Sequence, residues 1–487
     1  MLNYPPAFSS ARRAQATALF LIVLAGLGGC AQFPSLDPLE LMKSVASYET
    51  TRTFSAPTTT WPSERWWSDY GDAQLNALIE EALRDAPDMA AASARLRRAE
   101  AIAQVAGSPL QPQLGASASA TEQKQSYNYL MPRSALPEGW NDYGQAALSF
   151  NWELDFWGKN RAGLAAATSQ LEASRAELAQ ARLGLAAAIA TDYAELARLF
   201  AVRDTAARSV EVRRKTAALF DERFRYGLET RGSLNEAKSR LAVAEGEVLM
   251  FDEQIGLQRH RLATLIGTGP DRGLRIERPS IRLESNFALP ADLAVDLLGR
   301  RPDIVAARLQ VEAQASRIEQ KKAEFYPNVN LSALIGLQSL GLNLLQDGGS
   351  KFGSVGPAIS LPIFTGGRLQ GELRGVAASY DEAVANYNRT LAHALQDVAN
   401  AGLSQKALSA QLQKSHEAVE AASEAHRVAR NRYEGGLANY LEVLFAEDLL
   451  LGNQRAQAIL QSRACTLDVA LQRALGGGYQ TTRANTL

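Results

Sequence analysis

The fold of this 487-residue chain is decided by residues 148–156, which read LSFNWELDF. Apolar or aromatic residues alternate with polar ones along this segment, a period that places them on opposite faces of a β-strand. Residues 114–120, 329–335 and 355–363 show the same period, more weakly in the first of them. Strands of about ten residues can cross a lipid bilayer when tilted. The sequence therefore predicts two hairpins of membrane-spanning length.

Four strands cannot close into a barrel within one chain. An open sheet edge in lipid would leave backbone groups without hydrogen bonds, so closure requires strands from other chains. Two copies would supply eight strands and three would supply twelve, and eight leave an interior filled by side chains. A channel therefore favours at least three copies. The alternative is a soluble sandwich in which the amphipathic sheet packs against helices.

Long helices are predicted after each pair of strands, because residues 138–269 and 363–487 contain no proline and repeat apolar residues every seven positions. The members of these repeats are Leu164, Leu171, Leu178 and Leu185, then Leu234, Leu241, Val248, Ile255 and Leu262, and later Val384, Leu391 and Val398. Such a repeat is typical of supercoiled helices, and residues 160–225 could form a helix of about 100 Å. Glycines at Gly227 and Gly435–Gly436 predict turns, and hence antiparallel helical hairpins.

The chain is predicted to contain two copies of one design. Pro87 recurs 215 residues later as Pro302, and Gly267 recurs 209 residues later as Gly476, with further landmarks between them. Ordered landmarks at nearly constant spacing indicate a tandem repeat of about 210 residues. The predicted domains are a signal peptide at 1–29, a lipid-anchored segment at 30–70, a first repeat at 71–270, a linker at 271–289, a second repeat at 290–478 and a C-terminal tail at 479–487.

The N-terminus has the pattern of a bacterial export signal. A cationic pair at residues 12–13 precedes an apolar run at 18–25, which is too short for a permanent membrane helix. Residues 27–30, LGGC, resemble a lipobox, which implies cleavage before Cys30 and lipid attachment to its sulfur. Ala31 after it resembles the signal for sorting to the outer membrane. The alternative is a plain signal peptide with an incidental cysteine.

Several classes of function are excluded by composition and spacing. The 51 basic and 52 acidic residues lack the basic excess of a nucleic-acid-binding protein. No apolar run after residue 27 is long enough for a helical membrane protein. Four scattered histidines and two cysteines predict no metal site, and Cys465 is expected in the core. No phosphate loop, dinucleotide fingerprint or catalytic constellation is present, so we predict no enzyme, no cofactor and no catalytic residue.

A family resemblance is carried by several short motifs. They are residues 298–304 (LGRRPDI), 325–327 (FYP), 154–159 (LDFWGK), 361–364 (LPIF), 432–436 (RYEGG), 439–441 (NYL) and 474–478 (ALGGG). From about residue 61 to residue 478, the chain resembles the TolC/OprM outer-membrane channel family. The resemblance is to its lipoprotein branch in particular, which serves tripartite efflux pumps.

This resemblance implies an α+β membrane protein that assembles as a homotrimer. Four strands from each chain would form one twelve-stranded barrel in outer-membrane lipid, continuous with a long α-helical barrel that extends into the periplasm. Transport would be passive, with energy supplied by an inner-membrane transporter that is joined to the channel by a periplasmic adaptor protein.

The resemblance also locates the candidate sites at the turns of the helical hairpins, where such channels close and where adaptors dock. The gate candidates are Asn439, Tyr440, Leu441 and Glu442. The docking candidates are Gly227, Glu229, Arg231, Gly435 and Gly436. Relatives often carry an aspartate near the position of Phe445, so an acidic ring in this chain would need another residue, such as Glu442 or Glu434. The alternative is that these carboxylates belong to ordinary solvated helix surface.

The predicted function is an outer-membrane export channel for small toxic compounds. A rival within the same class is a conduit for type I protein secretion, because the sequence of a tunnel does not reveal its cargo. A rival from another class is a structural lipoprotein whose coiled coils act as a periplasmic spacer.

Overall fold

A computed structural model describes residues 34–50, 52–54, 57–128, 131–281, 289–290 and 293–481. The signal segment and Cys30 lie outside these described residues. The helices are α1 (Ala73–Asp85), α2 (Pro87–Gly107), α3 (Lys159–Arg225), α4 (Arg231–Ile266), α5 (Pro270–Leu274), α6 (Leu293–Arg300), α7 (Pro302–Ala323), α8 (Arg368–Glu434) and α9 (Tyr440–Ala474). The strands are β1 (Thr58–Thr59), β2 (Gln113–Gln123), β3 (Asn141–Glu153), β4 (Leu289–Pro290), β5 (Asn328–Leu340) and β6 (Lys351–Ser360).

None of the helices within the described ranges is both long enough and apolar enough to span a membrane.

The chain divides into two compact units. One contains the described residues up to Leu41 together with Arg97–Glu172 and Arg308–Asn386, and the other contains the remaining described residues. The first unit holds a four-stranded antiparallel sheet in the order β2-β3-β5-β6. All four strands predicted from the alternating pattern are therefore present, in two hairpins.

In β3 and β6 the alternating pattern overruns the true end of the strand by three residues. Strand β3 ends at Glu153 instead of continuing to Phe156, because the Asp155 side chain accepts hydrogen bonds from the backbone N–H groups of Asn160 (3.1 Å) and Arg161 (2.9 Å). A side chain that caps the following helix in this way forces the backbone to leave the sheet. Strand β6 likewise ends before Pro362, which has no N–H to continue a ladder.

In the first unit, α7 and α8 pack together beside the sheet strands that they adjoin in sequence. A buried cluster is formed by Ile318, Phe325, Leu369 and Leu373, the last two from α8. The partly buried Leu36 packs against this cluster. Next to it, the rings of Trp157 and Tyr326 stack with centroids 4.7 Å apart. The residues that follow β3 are thereby packed against those that precede β5.

In the second unit, a large apolar core packs α1 and the start of α2 against the middle of α3 and the C-terminal parts of α4 and α9. Its fully buried members include Trp66, Leu75, Leu78, Ile79, Tyr193, Leu196, Leu262 and Ile266. The buried Asp72 caps α1 by accepting a hydrogen bond from the Gln74 N–H (2.9 Å), and it also accepts one from the Tyr193 hydroxyl (2.9 Å). Both carboxylate oxygens of this buried residue therefore have hydrogen-bond partners. Cys465 lies in the same core, as predicted, and burial raises its thiol pKa to about 12.

Both predicted helical hairpins are present and end in turns of the same type. Helix α3 ends at Arg225, and Gly227 adopts φ +73° while Leu228 N–H donates to the carbonyl of Arg223 (2.9 Å). Helix α8 ends at Glu434, and Gly436 adopts φ +72° while Leu437 N–H donates to Arg432 (2.7 Å). This backbone conformation favours glycine, which explains the glycine in each turn.

Candidate functional site

The sheet has one apolar face. The pairing register places Phe150 opposite Leu114 on one side and Ala333 on the other. Residues in register share a face, so this face carries Leu114, Ala116, Ala118, Ala146, Leu148, Phe150, Trp152, Val329, Leu331, Ala333, Ile335, Leu337, Val355, Pro357 and Ile359. Two of its charged residues, Glu122 and Asp142, are paired at the opposite end of the sheet from Trp152, and the third, Lys351, begins β6 in register with Leu337 and Ala146. The central part is a continuous apolar band of the kind that contacts lipid.

The other face of the sheet is polar but nearly uncharged. It carries Gln113, Ser117, Ser119, Tyr143, Gln145, Ser149, Asn151, Asn330, Ser332, Gln338, Ser354 and Ser360, interspersed with small and apolar residues. Within the described strands, the one charge on this face is Glu153 at the end of β3, which pairs with Lys159 (2.5 Å). Such a surface suits contact with water rather than with lipid.

Large apolar side chains are also exposed immediately after the strands end. Phe156 and Trp157 follow β3, and Ile363 and Phe364 occupy the matching positions after β6. The indole N–H of Trp157 donates to the carbonyl of Pro327 (2.8 Å). Aromatic residues at this place are typical of the boundary between a membrane and water. A position at this boundary would explain why the motifs at residues 154–159 and 361–364 contain the exposed aromatic residues Phe156, Trp157 and Phe364.

The motif at residues 298–304 has a structural role in the second unit. The guanidinium of the buried Arg301 makes two hydrogen bonds to the Asp303 carboxylate (2.6 and 3.0 Å) and one to Asp397 (3.1 Å). Arg301 also donates to the carbonyl of Ala474 (3.3 Å), which begins the motif at 474–478. A buried charge held by this many partners is costly to disturb. These contacts join the two motifs and hold this part of the fold together.

The ends of the two helical hairpins meet in a small aromatic cluster. The ring of Phe220 from α3 lies 3.9 Å from that of Tyr440 and 6.2 Å from that of Tyr433, centroid to centroid. The Tyr433 hydroxyl donates to the Glu229 carboxylate (3.0 Å), and burial beside that carboxylate raises the pKa of Tyr433 to about 12. The first hairpin turn is thus bonded to the end of α8.

The four gate candidates occupy different environments. Asn439 caps α9 by accepting from Glu442 N–H (3.2 Å), and Tyr440 packs its ring into the aromatic cluster. The Tyr440 hydroxyl is buried and has no hydrogen-bond partner among the described residues. The Leu441 side chain is exposed, and Glu442 is paired with Arg432 (3.2 Å).

The docking candidates surround the two turns. Gly227 and Gly436 are the turn glycines, Gly435 precedes the second of them, and Arg231 begins α4. Glu229 is engaged by Tyr433 and lies 3.9 Å from Arg223. Sequence reasoning missed Leu228 and Leu437, which follow the turn glycines and are 64% and 75% exposed. The signal was available, because both leucines occupy the same place in the repeated Gly-Leu dipeptide.

A buried acidic residue lies further along α9. Glu447 is 1% exposed, lies 3.7 Å from Arg213 and accepts a long hydrogen bond from Thr216 (3.4 Å). Burial raises the pKa of the Glu447 carboxyl, and Arg213 opposes that effect. Its neighbour Asp448 is held by Arg213 (2.6 Å) and Arg240 (2.9 Å). These contacts join the two hairpins through α3, α4 and α9.

Among the described residues, no group of three or more His, Cys, Asp or Glu side chains is arranged to hold a metal ion.

Comparison with known proteins agrees with this geometry. The family model described as outer membrane efflux protein matches residues 78–268 and 293–477. The multidrug resistance outer membrane protein MdtP of Escherichia coli K12 is 30% identical over 427 residues, which cover 86% of this chain and 87% of MdtP. The fusaric acid resistance protein FusA of Burkholderia cepacia is 37% identical over 322 residues, or 64% of this chain, which spans only 59% of FusA.

A solved structure is also similar over most of its length. The outer membrane protein VceC of Vibrio cholerae is 50% identical and superposes with a TM-score of 0.82, covering 86% of this chain and all of VceC. The amphipathic sheet, the long helical hairpins and these matches agree with one another. The chain therefore belongs to the outer membrane efflux protein family and serves as an efflux channel in the outer membrane.

Proposed function

We propose that three copies of this chain form a passive channel that carries small toxic compounds out of the periplasm. The observation that carries this proposal is the sheet of the first unit, which has one apolar face and one polar face. Among the described strands, β2 and β6 each pair on one side only. In lipid these edges require partners, and the β6 edge of one copy can pair with the β2 edge of the next.

Three copies would give a closed barrel with an aqueous interior and with its apolar faces toward lipid. They would supply twelve strands, enough to leave an aqueous interior, whereas a side-chain-filled barrel needs only eight. Closure would turn the apolar faces toward lipid and enclose the polar faces around water. The helical hairpins would then line a second, helical barrel that leads solutes to this pore. Two matches to one family model, at residues 78–268 and 293–477, support the tandem repeat that such a ring would use.

A lipid anchor at Cys30 fits the placement of the N-terminal segment. Leu36 packs against the cluster around Phe325, three residues before β5 begins. Leu36 lies six positions after Cys30, a reach of at most about 20 Å. Acyl chains on Cys30 could therefore enter the leaflet nearest these strand ends. The intact mass of the mature protein tests this, because an unmodified Cys30 or an uncleaved signal would contradict it.

The cargo proposal rests on relatives. MdtP is named for multidrug resistance and FusA for resistance to fusaric acid, and both names indicate small toxic compounds. The resemblance to the channels of tripartite efflux pumps implies that energy would come from an inner-membrane transporter, joined to the channel through a periplasmic adaptor protein.

Conductance tests the channel. The purified lipidated protein in planar bilayers is expected to insert as a trimer and to remain mostly closed, because its helical hairpin ends would converge. Replacing Leu441 with Gly is expected to produce discrete conductance steps, since three bulky side chains are lost from the closed end. A trimer that never conducts, either as wild type or as Leu441→Gly, would support the spacer alternative. Passage of polypeptide but not of small compounds would support protein secretion.

Adaptor docking is expected at Leu228 and Leu437, one exposed leucine in each hairpin turn. Burial of a leucine contributes about 1.5–3 kcal/mol, so Leu228→Asp combined with Leu437→Asp is expected to weaken the adaptor complex at least about tenfold. In a deletion strain, this variant should restore trimers but not drug resistance. Leu249→Asp, an exposed leucine within α4, is the matched control and should restore both. Full resistance with the double variant would exclude these turns as the docking surface.

A further inference from the structure

Strands β2 and β6 form the two edges of the sheet and are nearly equal in length. Strand β2 has 11 residues and β6 has 10. In both strands, residues of the apolar face alternate with residues of the polar face. A slip of one residue between two such edges would turn the apolar residues of one strand onto the polar side of the other. Only every second register therefore keeps like faces together.

The apolar face of each edge strand carries one charge near the same end of the sheet. Glu122 lies one residue before the end of β2, and Lys351 begins β6. Within the chain, Glu122 is in register with another carboxylate, that of Asp142, and Lys351 is in register with Leu337. Neither Glu122 nor Lys351 has an ion-pair partner among the described residues. Opposed carboxylates repel each other and a charge beside lipid is costly, so each charge would be stabilised by an opposite one beyond its own edge of the sheet.

We propose that β6 of one copy pairs antiparallel with β2 of the next copy in the register that sets Lys351 opposite Glu122, and that this ion pair fixes the register. We call this contact between copies the seam. The inference rests on the proposed trimeric channel and specifies how its barrel closes. In this register Ser360, the last residue of β6, falls opposite Gln113, the first residue of β2, so the two strands overlap along all of β6. Opposite charges on directly opposed residues are a stabilising cross-strand contact.

The same register brings like surfaces together along the whole seam. On the apolar side the remaining opposed pairs are Gly353 with Ala120, Val355 with Ala118, Pro357 with Ala116 and Ile359 with Leu114. On the other side the pairs are Phe352 with Thr121, Ser354 with Ser119, Gly356 with Ser117, Ala358 with Gly115 and Ser360 with Gln113. The nearest registers that preserve the faces lose the charge pair. A shift of two residues in one direction sets Lys351 opposite Lys124, where like charges repel, and in the other direction it sets Lys351 opposite Ala120.

The register also determines the tilt of the strands. A row of paired residues that starts at Ala118 runs through Ala146 and Leu337 to Lys351, and the seam would continue it to Glu122 of the next copy, four residues further along β2. Three copies would accumulate a shear of about twelve residues over about twelve strands, which gives a tilt of about 35° and a backbone radius of about 11 Å. This tilt lies at the lower end of the range of about 35–45° in outer-membrane barrels.

Paired cysteine substitutions test the register in the purified full-length protein. Ser354→Cys and Ser119→Cys in one chain would face each other across the seam with Cβ atoms about 4.5–5.5 Å apart, near the distance that a disulfide requires. Mild oxidation should therefore link copies into covalent dimers and trimers on a non-reducing gel. Within one chain the two strands are three strand spacings apart, about 14 Å, so a disulfide must join two copies. Ser354→Cys combined with Ser117→Cys or with Thr121→Cys is the matched control, offset by two residues in either direction, and should link at least about tenfold more slowly.

Exchange of the two charges tests the ion pair. Lys351→Glu or Glu122→Lys alone would set like charges opposite each other in all three seams and should shorten the lifetime of the trimer in detergent by at least about fivefold. The double variant restores opposite charges and should return the lifetime to within about twofold of wild type. Gel electrophoresis of unheated samples at successive times measures the fraction of trimer.

The outcomes separate this inference from the channel on which it rests. Faster linking by an offset cysteine pair than by the opposed pair would overturn the register and leave the trimer standing. Single charge variants as long-lived as wild type, or a double variant as short-lived as the single ones, would overturn the role of the ion pair. A protein that stays monomeric in lipid, with no cysteine pair linking copies, would contradict the trimeric channel itself.

Discussion

Replacing Phe150 with Arg is expected to destabilise each subunit by about 1–3 kcal/mol. Phe150 lies on the apolar face, three residues before the end of β3, and is paired with Leu114 and Ala333. If this face contacts lipid, the substitution places a charge in the hydrocarbon region between the bilayer midplane and the interface, where it has no counterion. Denaturant titration of the protein refolded into lipid vesicles measures the loss directly.

The neighbouring residue provides the control for this substitution. Asn151 occupies the polar face of the same strand, where it accepts a hydrogen bond from Ser332 (3.1 Å). Asn151→Arg should lose less than about 1 kcal/mol, because water on that face can solvate the guanidinium. Equal stability of the two variants would contradict the assignment of the faces, and no loss in either would contradict the membrane sheet.

Replacing Gly476 with Ala is expected to destabilise the chain by about 2–5 kcal/mol. Gly476 adopts φ +85°, and an added Cβ would overlap the carbonyl oxygen of Arg300 and lie 3.3 Å from the Cα of Arg301. The substitution combines backbone strain with a collision against backbone that Arg301 fixes through its carboxylate partners. Thermal unfolding of the detergent-solubilised protein measures the change.

The control substitution is Gly256→Ala, in the interior of α4. Gly256 has ordinary helical geometry and open space around the position of a Cβ, so alanine should stabilise the helix by about 0.5–1 kcal/mol. Opposite signs for the two alanine substitutions are therefore expected. Gly476→Ala with wild-type stability would mean that residues 474–478 do not clamp the segment around Arg301.

Much of the fold was readable because it depends on periodicity. The two-residue period located all four strands. The seven-residue period, together with the glycines at Gly227 and Gly435–Gly436, located both helical hairpins. The strand ends were not readable, because Asp155 continues the polar positions of the pattern while its side chain caps α3. An alternating pattern records which face a residue would occupy in a strand, but not where a competing hydrogen bond ends that strand.

The hairpin ends were less predictable, because tertiary contacts decide them. The family resemblance predicts Tyr440 and Leu441 as gate candidates, and it does not reveal that Tyr440 packs against Phe220, which is distant in the chain. Exposure of Leu228, Leu437 and Phe445 depends on which helix faces are covered. The motif around Arg301 identified the family, although its contacts show a residue that holds helices together.

The polar face of the sheet has a consequence for how the protein would sort its cargo. Hydroxyl and amide groups exchange hydrogen bonds with passing solutes at little gain or loss, and a wall without fixed charge creates little electrical preference. A pore lined by this face would have a reversal potential close to zero in a salt gradient and would admit acids, bases and zwitterions alike. Discrimination among compounds would then reside upstream, in whatever loads the channel.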